Sequence, residues 1–345
     1  MRQARIKGEG LSYYHCVSRI VDRRFIFGDA EKEHFVALMR KLEGFLGLRV
    51  VTYVVMCNHF HLLVEEPDEE ARASLDRDTL LKRMPILYDA TAVRTLKEMF
   101  ERADRSGSDR MEEQILAPFR ERMGDVSIFM KELKQRFSQW YNRRNHRTGT
   151  LWETRFTSVL VEGDEKALMT IAAYIDLNPI RAGMVAKVED YRWCGYASAM
   201  GGNHWARIGL GRILRNSLQV CGEDFEKDWE ATGQAYRIWL YHEGEVREIA
   251  DPENPARKAR GGFSKQEVEA ENARGGKLPL PQVIRHRVRY FTDGAVFGSA
   301  AFVDSVFERY RSRFGEQRKT GARPMKEADW EGLHVLRDLQ RDVIG

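Results

Sequence analysis

The spacing of apolar positions changes several times along the first part of the chain, and each change predicts an element. Residues 12–20, SYYHCVSRI, read as a first strand by composition. Phe35, Leu38, Met39, Leu42, Phe45 and Leu46 then recur at helical spacing, with Asp29 suited to the N-cap and Gly47 to the stop. Residues 49–55, RVVTYVV, are rich in β-branched side chains and predict a second strand; after Cys57-Asn58 a third begins at His59. From about residue 66 to 125 the pattern is charged and weakly periodic, with Pro85, Pro118 and the run Arg105-Ser106-Gly107-Ser108. This stretch reads as a helical insertion without visible chemistry. Val126, Phe129, Met130, Leu133, Phe137, Trp140 and Tyr141 restore a strongly amphipathic helix. Residues 155–161 predict a short strand, and Asp164 caps a helix with Leu168, Ile171, Ala172 and Ile175 on its apolar face. The sum is β-α-β-β-α-β-α, an α+β chain of the ferredoxin-like sandwich type. Its central antiparallel sheet would set the third strand beside the first, with one helix extra.

After Trp193 the pattern loosens. Residues 223–243 can form a helix, and 251–276, rich in Pro, Gly, Glu and Arg, look like a linker. Pro281 suits the first turn of a helix to about Tyr290. A turn through Asp293-Gly294 and Gly298 leads to Ser299, which can cap a helix bearing Phe302, Val303, Val306, Phe307 and Tyr310. With Arg309, Arg311 and Arg313 on the second of these helices, a DNA-binding helix-turn-helix is one reading and a generic helical hairpin another. The expected organisation is a domain over 1–200 with its insertion at about 66–125. A linker and helical region over 201–276 and a mostly helical, basic region over 277–345 follow.

Composition sharpens this picture in three ways. The 345 residues are 43% hydrophobic and 31% charged, enough for a sizeable core in a soluble protein. The net charge of +4 is unevenly spread: residues 131–155 carry seven Lys/Arg against two acidic residues, and residues 285–323 carry nine against four. Such clusters suit a polyanion. Cys16, Cys57, Cys194 and Cys221 are scattered without a Cys-x-x-Cys pair, as expected of reduced thiols. The polar first ten residues and the lack of any long apolar run predict no signal peptide, no membrane segment and a cytoplasmic location.

Candidate chemistry starts at Met56-Cys57-Asn58-His59-Phe60-His61-Leu62-Leu63-Val64. Alternation along a strand projects His59 and His61 from one face and Phe60, Leu62 and Val64 from the other. Two adjacent imidazoles on a rigid element can hold one divalent ion; two ordinary histidines on a half-buried strand look the same. Tyr174 and Asn178 are four apart on a helix, and Pro179 places Asn178 at its end. An amide beside a tyrosine could complete a metal site. Equally, Tyr174 could be a half-buried aromatic and Asn178 a helix stop.

These residues carry a resemblance. His59-Phe60-His61 after an apolar strand, then Gly149-Thr150-Leu151-Trp152-Glu153-Thr154-Arg155-Phe156, then Tyr174-Ile175-Asp176-Leu177-Asn178-Pro179-Ile180-Arg181-Ala182-Gly183, resemble the HUH single-strand transposases. Within them the chain is most similar to the REP-associated tyrosine transposases, over roughly residues 10–200; the tail around residues 287–299 is similar with less specificity. The resemblance implies that His59 and His61 are paired metal ligands, Tyr174 the nucleophile and Asn178 a third ligand. It implies Mg²⁺ or Mn²⁺ as the ion, and single-stranded DNA beside a hairpin as substrate. Cys57 stands where members often have proline. Arg143, Arg144, Arg147 and Arg155 would contact phosphates, with Arg309, Arg311 and Arg313 assisting from the tail, and Trp152 would either stack on bases or pack in the core. The expected activity is cleavage and rejoining of DNA through a 5′-phosphotyrosine. Rival readings are a catalytically inactive nucleic-acid-binding protein on the same fold and a metal phosphohydrolase. Monomer and homodimer both stay open.

Overall fold

The computed structural model describes residues 8, 10–163, 165–214, 229–243, 263–276, 296–309, 311–324 and 333–336. Its main sheet is antiparallel, in the order β2-β3-β1-β4. The strands are β1 (Ser12–Arg19), β2 (Arg49–Val55), β3 (His59–Glu66) and β4 (Thr157–Val161). Between β1 and β2 lies α1 (Asp29–Leu46). Its cap is Gly28, so Asp29 is the first helical residue, where its charge offsets the helix dipole, and not the cap expected from the sequence. Gly47 ends the helix at φ 73°, donating its N–H to the Glu43 carbonyl.

Even-numbered residues of β1 and β3, among them Tyr14, Cys16, Phe60, Leu62 and Val64, pack with α1 and α6 (Val126–Arg144). Phe35, Leu42, Phe129 and Phe137 fill that layer. The insertion is helical, as its pattern predicts: α2 (Glu69–Ala73), α3 (Arg77–Leu87), α4 (Ala90–Ser106) and α5 (Asp109–Arg120). Asp68, Asp76 and Asp89 cap three of these helices by accepting from Ala71, Thr79 and Ala92 N–H. Leu80, Met84, Phe100 and Ile115 join the same core, so the insertion buttresses the sandwich.

The opposite face of the sheet is covered as well. Tyr13, Val54 and Leu63 meet α7 (Glu165–Asp176), and a short α8 (Asn178–Arg181) follows it. Next come α9 (Gly195–Met200), α10 (His204–Ile213) and α11 (Trp229–Glu243). Leu210, Ile213, Tyr236 and Leu240 are buried in this layer, and Phe263 and Val268, from the stretch expected to be a linker, are buried with them. Gly209 explains how α10 comes so near: a Cβ there would lie 2.4 Å from the Val51 carbonyl oxygen. α12 (Lys265–Ala273) starts at a reciprocal Ser264–Glu267 capping box. Its Glu271 meets the buried guanidinium of Arg237 at 2.7 Å.

The C-terminal region is mixed where a mostly helical one was expected. β5 (Val296–Ser299), β6 (Arg323–Pro324) and β7 (Leu333–Leu336) form an antiparallel sheet in the order β5-β7-β6, beside α13 (Ala300–Arg309). Gly298 lies in β5 opposite His334 and not in a turn, and Ser299, the last strand residue, stands directly before α13, where the sequence places it. The helix expected near Pro281 and the cap expected at Asp164 lie outside the described residues. Among the described residues no helix is long and apolar enough to cross a membrane.

Candidate active site

His59 begins β3 directly after a tight β2–β3 connection, closed by Met56 N–H donating to the His59 carbonyl at 2.8 Å. Asn58 orients the first imidazole: its Oδ1 lies 2.7 Å from His59 Nδ1. An amide oxygen only accepts, so the His59 proton sits on Nδ1 and Nε2 keeps its lone pair. His61, two residues along the same face, has its ring centre 5.1 Å from that of His59.

A third histidine completes the group. His15 on β1 shares this face, with its Nε2 2.9 Å from His61 Nδ1 and the two rings stacked at 5.2 Å. The sequence reading placed no role on it. Its only signal was the odd position it shares with Tyr13 on a strand expected to pair with β3. Tyr174, from α7, sets its ring edge-on to both, 5.8 Å from His15 and 5.8 Å from His61. Tyr174 is 41% exposed, and the Arg181 guanidinium stands 5.3 Å from its ring centre.

Burial keeps the imidazoles neutral. It pushes His15 down to about 4. His59 falls to about 4 by burial and by the Arg19 charge. In His61 burial, then His15, His59 and Arg19, lower the value to about 3. At neutral pH all three therefore offer lone pairs and not charges.

Asp176 fixes the helix that carries Tyr174. It is fully buried, accepts from Thr52 Oγ1 at 3.0 Å on both oxygens, from Tyr236 O–H at 2.7 Å and from Tyr196 N–H at 3.2 Å. Two residues on a helix are separated by about 200°, so the anchor faces the core while Tyr174 faces out. Sequence gave no sign of this anchor beyond its place inside the Tyr174 motif.

Asn178 takes the helix-end role that was one of its two expected readings. Its side-chain amide is half-buried and donates to the Tyr174 carbonyl at 2.8 Å and the Ile175 carbonyl at 3.3 Å, capping the end of α7. Among the described residues no group of three or more His, Cys, Asp or Glu side chains is arranged to hold a metal ion. His59 and His61 fit two positions on a divalent ion by donor chemistry; water or substrate oxygens would have to fill the others.

The expected DNA-contacting residues separate into groups. Arg143 and Arg144 are exposed at the end of α6, and Arg147 is half-buried in the turn after it. Trp152 is 7% exposed and donates its indole N–H to the Lys134 carbonyl at 3.1 Å and to Ser138 Oγ at 2.8 Å. It is a packing residue, not an open stacking platform. With exposed Arg155 it borders a cavity of about 1030 Å³ between α6 and residues 149–158. Lys134 lines the same cavity, lowered by burial to about 8 and donating to the Thr154 carbonyl at 2.9 Å. Arg309 is exposed at the end of α13. Arg311 and Arg313 lie in a 3-10 turn beyond that helix, where Arg311 holds the carbonyls of Phe314, Gly315 and Glu316. Cys16, Cys57 and Cys194 are free thiols; Cys221 lies outside the described residues.

No protein-family model matches the chain, and no curated protein does. Among solved structures, one match is the REP-associated tyrosine transposase bound to a REP hairpin, with a TM-score of 0.35 and 14% sequence identity. It covers 57% of this chain and 83% of that one, a distant structural resemblance.

Proposed function

We propose that the chain is a metal-dependent transposase that cleaves and rejoins single-stranded DNA near hairpins. The observation that carries this reading is the exposed Tyr174 ring, edge-on to His15 and His61 on an anchored helix. The ordered motifs around His59, Trp152 and Tyr174 support it from the sequence. The strand order β2-β3-β1-β4, with α1 and α6 on one face, supports a ferredoxin-like core with α7 as the added helix.

In this reading the Tyr174 hydroxyl attacks the scissile phosphorus. The Tyr174 Oη–P bond forms as the P–O3′ bond breaks; the phenolic proton leaves to solvent and the departing 3′ oxygen takes one up. The phosphodiester is exchanged, not hydrolysed, so a 3′-OH can reverse the step and join strands. Arg181, beside the Tyr174 ring, supplies positive charge next to the incoming phosphate. His59 and His61 would hold Mg²⁺ or Mn²⁺, and Asn58 would keep the His59 lone pair on Nε2. When bound, that ion would polarise the phosphate. Single-stranded or hairpin DNA is the proposed partner, with phosphates met by the cationic end of α6 and Arg155.

The test is Tyr174→Phe, incubated with hairpin-bearing oligonucleotides and Mn²⁺ and run on a denaturing gel. The wild type should give a covalent protein–DNA adduct and the variant none, with binding retained. A variant that still forms the adduct overturns the assignment of Tyr174. The rival reading is a nucleic-acid-binding protein without catalysis. That protein would bind the hairpin and yield no adduct even as wild type.

A further inference from the structure

At the other end of β3, six residues from His59 and so about 20 Å away along the strand, lies a second cavity of about 540 Å³. Its walls include the start of β2 with Arg49, the end of β3 with Glu65, α3 of the insertion with Lys82 and Arg83, and α10 with Trp205 and Arg212. Glu43 and Asp68 also face it.

The three carboxylates are already committed inside the protein. Glu43 accepts from Arg40 at 2.5 Å, from Arg49 at 3.4 Å and from the Val50 N–H at 2.9 Å. Glu65 accepts from Arg212 at 3.0 Å and from the Tyr13 hydroxyl at 2.9 Å. Asp68 caps α2.

The cations are not matched to the same degree. Among the described residues no carboxylate pairs with Arg83; its hydrogen-bond partner is Met123 Sδ at 4.0 Å, a weak acceptor. Its Nη1 also lies against Gly47, at the end of α1, which offers only the partial charge of a helix terminus. The Nε groups of Arg49 and Arg212 are buried and have no acceptor among the described residues. A half-buried guanidinium without a counter-ion, beside two unmet donors, is costly unless an oxyanion fills the space. Arginine donors favour phosphate for its oxygen geometry. The cavity also exceeds what a bare phosphate needs. Trp205, 39% exposed with the Arg49 guanidinium 4.6 Å from its ring centre, offers an aromatic surface to a base.

We infer that this cavity binds a nucleotide, its phosphate on Arg83, Arg49 and Arg212 and its base against Trp205. The nucleotide is either free or one unit of a strand. The site gives the insertion a role, because α3 supplies Lys82 and Arg83. It uses none of the residues around Tyr174 and does not depend on the proposed strand chemistry.

Calorimetric titration of the full chain, in EDTA to exclude metal-mediated binding, tests it with inorganic phosphate, dAMP and an octamer of thymidylate. Wild type should bind dAMP, and Arg83→Gln should weaken that binding about tenfold or more. Tyr174→Phe should leave it unchanged. If Arg83→Gln also weakens the octamer tenfold, the site takes a strand; if only dAMP is affected, it takes a free nucleotide. Should Arg83→Gln fail to fold by circular dichroism, Lys82→Glu on the exposed side of α3 gives the same readout. Three results overturn the inference: no dAMP binding by wild type, wild-type affinity in folded variants, or phosphate binding as tight as dAMP.

Discussion

Three neutral imidazoles packed together make the fold sensitive to acid, by an amount that follows from their burial. An unperturbed histidine titrates near 6.5, whereas His15 and His59 are lowered to about 4 and His61 to about 3 in the folded chain. Between those values the unfolded chain binds more protons. The stability is therefore fully present above pH 6.5 and is lost as pH falls through the folded values. At pH 5 nearly every unfolded imidazole is charged and few of the folded ones are, which amounts to about 2 kcal/mol per histidine relative to pH 7. His15 and His61, 8% and 5% exposed, carry this most fully; His59 is more open to water and carries less. Against a total stability of about 5–15 kcal/mol for a typical domain, the cluster is a large term. His61→Gln removes the most depressed group and keeps a polar side chain in its place. Urea unfolding of both proteins at pH 7 and pH 5 gives the comparison. Wild type should lose about 2 kcal/mol more than the variant between the two conditions. Equal losses would refute a neutral His61 held by burial.

Two further outcomes follow from the same site. Asp176 is raised to about 7 by burial, against the hydrogen bonds from Tyr236, Tyr196 and Thr52. Its contribution is present below about pH 4 and declines as pH rises through 7, so between pH 5 and pH 8 wild type should lose about 2–3 kcal/mol more than Asp176→Asn in urea melts. A pH-independent difference between the two would contradict that direction. Mn²⁺ at a hundred times its dissociation constant should raise wild-type stability by about 2.7 kcal/mol. His59→Ala should abolish that gain in a thermal melt; an equal gain in the variant would place the ion elsewhere.

How far the sequence revealed these features depended on whether a local pattern fixed them. Alternation in β3 was enough to put His59 and His61 on one face, because a strand's side chains have a period of two. His15 was not recoverable in the same way: its meeting with His61 depends on the register of β1 against β3, which local composition does not encode. The second covering layer left a trace in the near-continuous apolar runs of β2 and β3. Such runs mark strands buried on both faces, and the alternation reading set that meaning aside. α10 was missed because its glycines lower helix propensity, while Gly209 is the residue that admits the helix onto Val51. Trp152 illustrates a choice that a motif leaves open. An aromatic within a motif looks available to a base, yet this indole already has two hydrogen-bond acceptors inside the core.

The placement of Tyr174 is a tertiary property more than a helical one. A helix of 12 residues such as α7 is marginal alone in water, so its orientation has to come from what it touches. Leu168, Ala172 and Ile175 bury its apolar side, and Asp176 adds directional bonds to β2 through Thr52, to α9 through the Tyr196 N–H and to α11 through Tyr236. Rotating the helix would break those bonds before it moved the ring far, since a buried carboxylate without its donors is expensive. The Tyr174 ring is thus held against His15 and His61 by contacts on the far side of its own helix. Helix α11 then belongs to the machinery that aims the tyrosine: its Tyr236 grips Asp176 directly. The helix expected over residues 223–243 is, on this account, part of what converts an exposed tyrosine into a fixed one.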